Sequence, residues 1–451
     1  MRLPVPIVVA GILLREILRA LATPFWVVAF LATRERWCRA ASETLAKLPD
    51  ASEPAWSLPA LRSGTQPPHL FVSAGEASGE MHAVKLVRGV RARHADVRVT
   101  CFGGKALESS GARLLWPLAD HAVMGLTAAL ASLPFFLRAV GRFVRLVRED
   151  RPDLVVLVDY PGLHLVLAEI CKRAGVPVVH YVAPQYWAWG PWRMRRYARA
   201  FTGTLTILPF EPAWFTRFAI ASRYVGHPLL DQIAEQPPHR ELVAKIAKQP
   251  VLVLLAGSRT KEIRSHLPGM LEVAAQLRSE EPVLRVVVAQ RDPRKAELAR
   301  ALIAAAPGDA RTWAEVHQGE VQDYLTAARL VIAKSGTGSL ESVLRGAPTI
   351  VVYRVGSALA KALYSRLVML PFFASANLVA GRLVVEEIGF SANTGWPSVL
   401  AAARSLLHDG PARSAALLGA AEVALRLGPP GASERAAACI ADAFVPKGLP
   451  R

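Results

Sequence analysis

A chain of 451 residues is too long for one hydrophobic core, so two domains with additions are expected. Its 52% hydrophobic and 20% charged residues exclude both disorder and a multi-span membrane protein. The formal charge of +18 calls for an anionic partner; with 7% aromatics and no basic stretch interleaved with aromatics, membrane surface and phosphate fit and nucleic acid does not.

The chain opens on two apolar runs, Leu3–Leu14 and Leu21–Thr33, split by Arg15, Glu16 and Arg19, with Pro24 in the second. Neither reaches the ~20 residues that span a bilayer. A single Arg2 and no small-residue cleavage site argue against a signal peptide. With Arg34, Arg36 and Arg39 following, residues 1–46 read as a helical extension in or on an anionic membrane interface. The alternative is a helix docked on the protein's own surface. Residues 47–68 carry Pro49, Pro54, Pro59, Pro67 and Pro68 and read as a linker.

From His69 onward, apolar β-branched runs alternate with helical patterns. Strands are expected at Leu70–Ser73, Val97–Phe102, Leu154–Val158, Val176–Val182, Leu252–Leu255, Leu284–Ala289, Leu330–Ala333 and Thr349–Tyr353; helices at Glu80–Ala92 and His164–Ala174. This alternation predicts an α/β protein with parallel sheets. The rhythm pauses around Pro228–Gln249, which separates a first domain at 69–230 from a second at 250–390. Residues 391–451 read as Ala- and Leu-rich helices broken at Gly428–Gly431. Cys38, Cys101, Cys171 and Cys439 lie far apart with no metal-ligand spacing, as expected of reduced thiols in a cytoplasmic protein.

Ligands of open α/β sheets bind at the carboxyl ends of the strands. Four such places carry chemistry. Ser73–Glu80 is a small-residue turn opening a helix, where Gly79 and Ser78 allow close approach and Glu76 and Glu80 can take sugar hydroxyls or cap the helix. Asp159 follows Leu154–Val158 and is placed either as a general base or as a helix cap. Ala183–Trp192 holds Trp187, Trp189 and Trp192, followed by Arg193, Arg195, Arg196 and Arg199, suiting a sugar, an acyl chain or headgroups; a packed loop beside a solvated basic helix is the alternative. In the second domain, Gly257-Ser258-Arg259 and Lys334-Ser335-Gly336-Thr337 run from strand to helix and suit a diphosphate, with Glu341 one turn on for ribose hydroxyls. No cofactor or metal is expected, since D-x-D and H-E-x-x-H are missing.

These motifs occur together and in order. Ala74–Gly79, Ala122–Leu126, His180–Pro184 with Trp187-Ala188-Trp189, Leu208–Glu211, Val225–Pro228, Gly257–Arg259, Ser335–Thr337 with Leu340-Glu341, Tyr353–Val355, and Asn377-Leu378 with Gly381-Arg382 resemble the lipid-A-disaccharide synthase family from about Leu70 to Ile388. The resemblance implies a GT-B architecture, two Rossmann-like doubly wound domains facing a cleft, with C-terminal helices often packing back on the first. It implies an inverting, metal-free hexosyltransferase of lipid A biosynthesis. The donor would be UDP-diacylglucosamine and the acceptor a lipid monosaccharide phosphate, joined into a β-1,6 disaccharide 1-phosphate. By position, Asp159 falls on the family's base and Glu76 on its loop acid. Arg259, Ser335, Gly336, Thr337, Glu341 and Asn377 fall on its UDP side. Such an enzyme works at an anionic membrane, on the cytoplasmic face of the inner membrane; a homodimer is left open.

The sequence departs from the family pattern at Glu80, His164 and Ala376, where Asp, Asn and Pro are usual, and adds the N-terminal segment. Alternatives are a related GT-B UDP-sugar transferase or epimerase with another acceptor, and a non-catalytic lipid-binding protein on the same fold.

Overall fold

The computed structural model describes residues 3–47, 56, 58, 61, 67–121 and 131–444. The chain divides into two compact units, Met1–Asp231 with Pro430–Arg451, and Gln232–Pro429. Each is built on one parallel sheet.

In the first unit seven strands lie in the order β3-β2-β1-β4-β5-β6-β7. They are β1 His69–Ala74, β2 Arg98–Phe102, β3 Arg113–Trp116, β4 Leu154–Val158, β5 Val178–Tyr181, β6 Gly203–Thr206 and β7 Ala221–Tyr224. Strands β1 and β4 are buried along their whole length because helices cover both faces of the sheet. Leu70, Val72 and Ala74 share one core with Leu86, Val87 and Val90 of the helix Ala77–Arg93. Phe71, on the other face, meets Phe143 of the helix Leu133–Glu149 with ring centroids 4.9 Å apart.

The last helix, Ala432–Ala441, belongs to this unit. Asp231 accepts the N–H groups of Gly431, Ala432 and Ser433 at 2.6, 2.9 and 2.9 Å, closing its N-terminus with a carboxylate. Its packing on Ala77–Arg93 is tight: a Cβ on Gly89 would lie 2.6 Å from that of Ala437. The helices Trp396–Leu407 and Pro411–Leu427 stay with the second unit, whereas Ala432–Ala441 and the short turn Asp442–Phe444 after it pack on the first.

The two apolar runs at the N-terminus form one continuous helix, Val5–Ala32, with Pro24 inside it, followed by Arg34–Leu45. The charges between the runs point inward. Arg15 and Arg19 lie 2.5 and 3.0 Å from Glu169, and Arg196 lies 2.8 Å from Glu16 and 2.7 Å from Glu169. Ile12 and Phe30 are buried, and Phe30 meets Trp192 at 5.4 Å. Among the described residues no helix is long and apolar enough to cross a membrane. Within the expected linker, Trp56 donates its indole N–H to the Cys439 carbonyl at 3.2 Å and Leu58 is buried in the core, so those residues anchor as well as connect.

In the second unit six strands follow the order β10-β9-β8-β11-β12-β13. They are β8 Val251–Leu255, β9 Arg285–Gln290, β10 Ala314–Gln318, β11 Leu330–Lys334, β12 Thr349–Val355 and β13 Glu386–Ser391. One face packs on the helices Thr260–Glu280 and Trp396–Leu407, the other on Ile246, Val321 and Leu325. Gly269 admits the Trp396 ring, whose nearest atom would lie 2.0 Å from a Cβ there. In both orders the winding reverses once, between β1 and β4 and between β8 and β11. Ligands of open sheets bind at such reversals.

Candidate active site

The first reversal brings the ends of β1 and β4 together. Asp159 and Tyr160 both adopt left-handed backbone, at φ +54° and +51°, and Val182 after β5 does the same at +62°. Each costs of order 1–3 kcal/mol, most plainly the β-branched Val182, and persists only where its surroundings enforce it. Here they do. The Asp159 N–H donates to the Tyr181 carbonyl at 2.9 Å. The Asp159 carbonyl accepts Nδ1–H of His164 at 2.6 Å and Nε2–H of His180 at 2.9 Å.

A carbonyl can only accept, which fixes both tautomers. Nε2 of His164 then accepts from the Ser73 hydroxyl at 2.8 Å, and Nδ1 of His180 from the Tyr197 hydroxyl at 3.1 Å. Burial holds both rings neutral, His164 down to about 3 and His180 to about 4. Tyr160 in turn requires Gly75, where a Cβ would lie 2.2 Å from its ring. Gly79 brings its helix against the same strand end, its Cβ position 3.6 Å from the Val158 carbonyl and 3.8 Å from the Asp159 Cβ.

A pocket of about 470 Å³ opens there, lined by Glu76, Phe136, Asp159, Tyr160, Pro161, Gly162 and Leu163. Glu76 begins the helix without a side-chain capping bond, and both it and Ser78 are exposed. The Asp159 carboxyl is raised above the ordinary range, first by burial and then by the Glu76 charge, while the Tyr160 N–H opposes them. Glu80 has a different job. Buried, it accepts the N–H groups of Gly104 at 2.8 Å and Leu107 at 2.9 Å and holds the turn after β2, not a sugar.

The Trp-rich loop also differs from expectation. Trp187 is 1% exposed and donates its indole N–H to Glu211 at 3.0 Å, which makes it a pillar of the loop and not a ligand contact. Burial pushes Glu211 up to about 7 against the pull of the Leu208, Trp187 and Ile207 donors. Trp189 is the exposed tryptophan, with the Arg193 guanidinium 4.3 Å from its ring. The stretch Ala122–Leu126 lies outside the described residues.

In the second unit the reversal joins Gly257–Arg259 to Lys334–Thr337. Glu262 ties them: it lies 3.0 Å from Lys334 Nζ and 3.3 Å from Arg259, and accepts the Ser258 N–H at 3.2 Å. Burial alone would raise this carboxyl, but the hydrogen bond and charge of Lys334, then Arg259, bring it below its ordinary value. A Cβ on Gly257 (φ +114°) would strike Glu262 at 2.7 Å. Gly336 and Thr337 are exposed and Ser335 is half-buried where the helix Thr337–Leu344 begins, leaving N–H groups without intrahelical partners. Two cations beside a helix N-terminus are the chemistry that suits an anion.

Glu341 is buried beside Arg345 at 3.2 Å and Arg291 at 3.6 Å, so its charge is already answered within the protein. Asn377 is fully buried and saturated. Its amide donates to the Val385 carbonyl and Glu387, both at 3.0 Å, and its oxygen accepts from Val384 and Val385 at 2.7 and 2.9 Å. It orders the approach to β13 and has no capacity left for a ligand. Lys334 lies in the loop that the sequence assigns to a diphosphate, but its pairing with Glu262 across the two loops has no signal in the sequence. His164 and His180 stand in the sequence as a departure from the family pattern and as part of a family motif, and nothing there shows that both bond the Asp159 carbonyl.

Two parallel α/β units, each with its loops gathered at the sheet reversal, define the GT-B class of nucleotide-sugar enzymes. Among solved structures the chain is similar to a putative UDP-N-acetylglucosamine 2-epimerase from Listeria monocytogenes, with a TM-score of 0.60 and 12% identity, covering 86% of this chain and 99% of that one. It is similar also to the glycosyltransferase of kitacinnamycin, at 0.55 and 18%, covering 84% and 100%. Such identities show the fold alone. The family model for lipid-A-disaccharide synthetase matches residues 70–416. The lipid-A-disaccharide synthase of Myxococcus xanthus is 36% identical over 386 residues, 85% of this chain and 99% of the relative; that of Acidobacterium capsulatum is 35% identical over 379 residues, 81% and 93%. The chain belongs to the lipid-A-disaccharide synthetase family and is a glycosyltransferase of lipid A disaccharide synthesis.

Proposed function

We propose that the enzyme transfers 2,3-diacylglucosamine from UDP to the 6-hydroxyl of 2,3-diacylglucosamine 1-phosphate, inverting the anomeric centre. The observation that carries this reading is the Asp159 carboxyl, held on a strained turn and lining an open pocket at the β1/β4 reversal. Asp159 takes the proton of the acceptor hydroxyl as that oxygen attacks the anomeric carbon. The bond from that carbon to the UDP oxygen breaks, and the proton on Asp159 passes to solvent. Lys334, Arg259 and the N–H groups at Thr337 receive the charge on the departing diphosphate, so that no cofactor is called on. Glu76 shares the pocket, accepts acceptor hydroxyls and keeps Asp159 basic.

The N-terminal helix supports a peripheral location on the cytoplasmic face of the inner membrane. Its outward stripe is Leu14, Leu18, Leu21, Phe25 and Val28, between 58 and 72% exposed, while its charged residues turn toward the protein. That is the reverse of a water-facing helix, and matches one whose outer medium is hydrocarbon.

Asp159→Asn keeps size and hydrogen bonding but removes basicity. It is expected to lower turnover by roughly 10²–10⁴ with UDP affinity unchanged. Near-normal turnover in that variant would move the base to Glu76.

A further inference from the structure

A second, larger cavity of about 1290 Å³ adjoins the Asp159 pocket, sharing Pro161 and Gly162 as a common wall. The N-terminal helix forms one side; the helices Pro161–Ala174 and Met194–Ala200 form others. Most of its lining charge is positive, nine Lys and Arg side chains against the carboxylates of Glu16 and Glu169. Both carboxylates are engaged by Arg15, Arg19 and Arg196. The exposed Arg36, Lys172, Arg173, Arg195 and Arg199 at its edge have no carboxylate within ion-pair distance among the described residues. Trp26, Phe30, Leu165 and Trp192 give it apolar walls. A Cβ on Gly162 would meet nothing within 4 Å, so no side chain crowds the shared wall at that residue.

Unpaired cations beside aromatic walls bind a molecule that is anionic at one end and hydrocarbon at the other. Drug-sized ligands fill roughly 300–1,000 Å³, so this cavity has room for part of an acyl chain besides a headgroup. The N-terminal helices that wall it lie outside the span matched by the family model, which begins at residue 70.

We propose that this cavity is the seat of the acylated acceptor, with the phosphate on Arg195, Arg199, Lys172 and Arg173, an acyl chain along Trp26, Phe30 and Trp192, and the sugar reaching Asp159 past Gly162. The proposal rests on the reading of the acceptor as a lipid phosphate. It assigns the added N-terminal helices a second role, building a substrate site as well as meeting the membrane.

The test uses the full chain and a water-soluble short-chain phosphatidate below its micelle concentration, titrated by calorimetry in parallel with inorganic phosphate and UDP. The phosphatidate is expected to bind at least tenfold more tightly than inorganic phosphate. Arg195→Gln with Arg199→Gln, and separately Lys172→Gln with Arg173→Gln, change exposed side chains on two different helices. Each pair is expected to weaken phosphatidate binding tenfold or more while UDP affinity and melting temperature hold. Unchanged phosphatidate binding in both pairs would overturn the site. Inorganic phosphate binding as tightly as the phosphatidate would overturn its assignment to a lipid. Tight, charge-dependent phosphatidate binding by an enzyme that never glycosylates the lipid monosaccharide phosphate would support the cavity and refute the acceptor reading separately.

Discussion

Asp159 illustrates how much protein is spent on one carboxylate. Its left-handed turn is enforced through its own carbonyl by His164 and His180, each tied to a hydroxyl on a neighbouring strand or helix. The rings work only as neutral donors, which burial ensures. His164, the residue that departs from the usual asparagine of the family pattern, thus acts through Asp159 and not on the substrate. The raised Asp159 carboxyl carries a pH prediction. A base must be deprotonated, so the acidic limb of kcat/KM is expected above the ordinary range of an aspartate. Glu76→Gln removes a like charge that raises Asp159, so the limb is expected to move to lower pH, more at low salt than at high because Glu76 is exposed. A limb that stays in place would show that burial alone sets the shift.

At the scale of elements, the sequence-based reading found the central strands and missed the edges. The strands it lacked are β3, β7, β10 and β13, which are the four sheet edges, and the short β6 beside one of them. Central strands are covered on both faces and read as apolar runs, as Leu154–Val158 does. An edge such as Ala314–Gln318, with Glu315 and Gln318 exposed, offers no such run. In the N-terminal helix, Arg15, Glu16 and Arg19 look like an interruption of the apolar pattern until Glu169 and Arg196, distant in sequence, are seen to answer them. Motif reading likewise could not separate Trp187 and Asn377, which are buried and saturated, from Asp159, which is not. The outward stripe of the N-terminal helix predicts that Leu18→Asp with Phe25→Asp, at 58 and 69% exposed positions, will cut sedimentation with anionic vesicles in high salt severalfold without lowering thermal stability. Unchanged sedimentation would place the membrane contact elsewhere, with Trp189 the next candidate.

At the scale of the molecule, the chemistry is divided. The first unit carries Asp159 and Glu76 and the second Arg259 and Lys334, and the family match spans both. Arg259→Ala is therefore expected to weaken UDP about tenfold, the order of one charge-assisted hydrogen bond, while leaving lipid binding alone. EDTA is expected to change neither, because Lys334 and Arg259 supply the charge that a metal would. A strict requirement for added Mg²⁺ would contradict that assignment.

The central claim is glycosyl transfer between two substrates, and stoichiometry tests it most directly. The purified full chain is incubated with UDP-diacylglucosamine, with and without the diacylglucosamine 1-phosphate, and UDP and disaccharide are quantified by mass. The account predicts one UDP per β-1,6 disaccharide phosphate, and neither product when the acceptor is omitted. UDP release or sugar isomerisation without acceptor, or no disaccharide when both substrates are present, would contradict it.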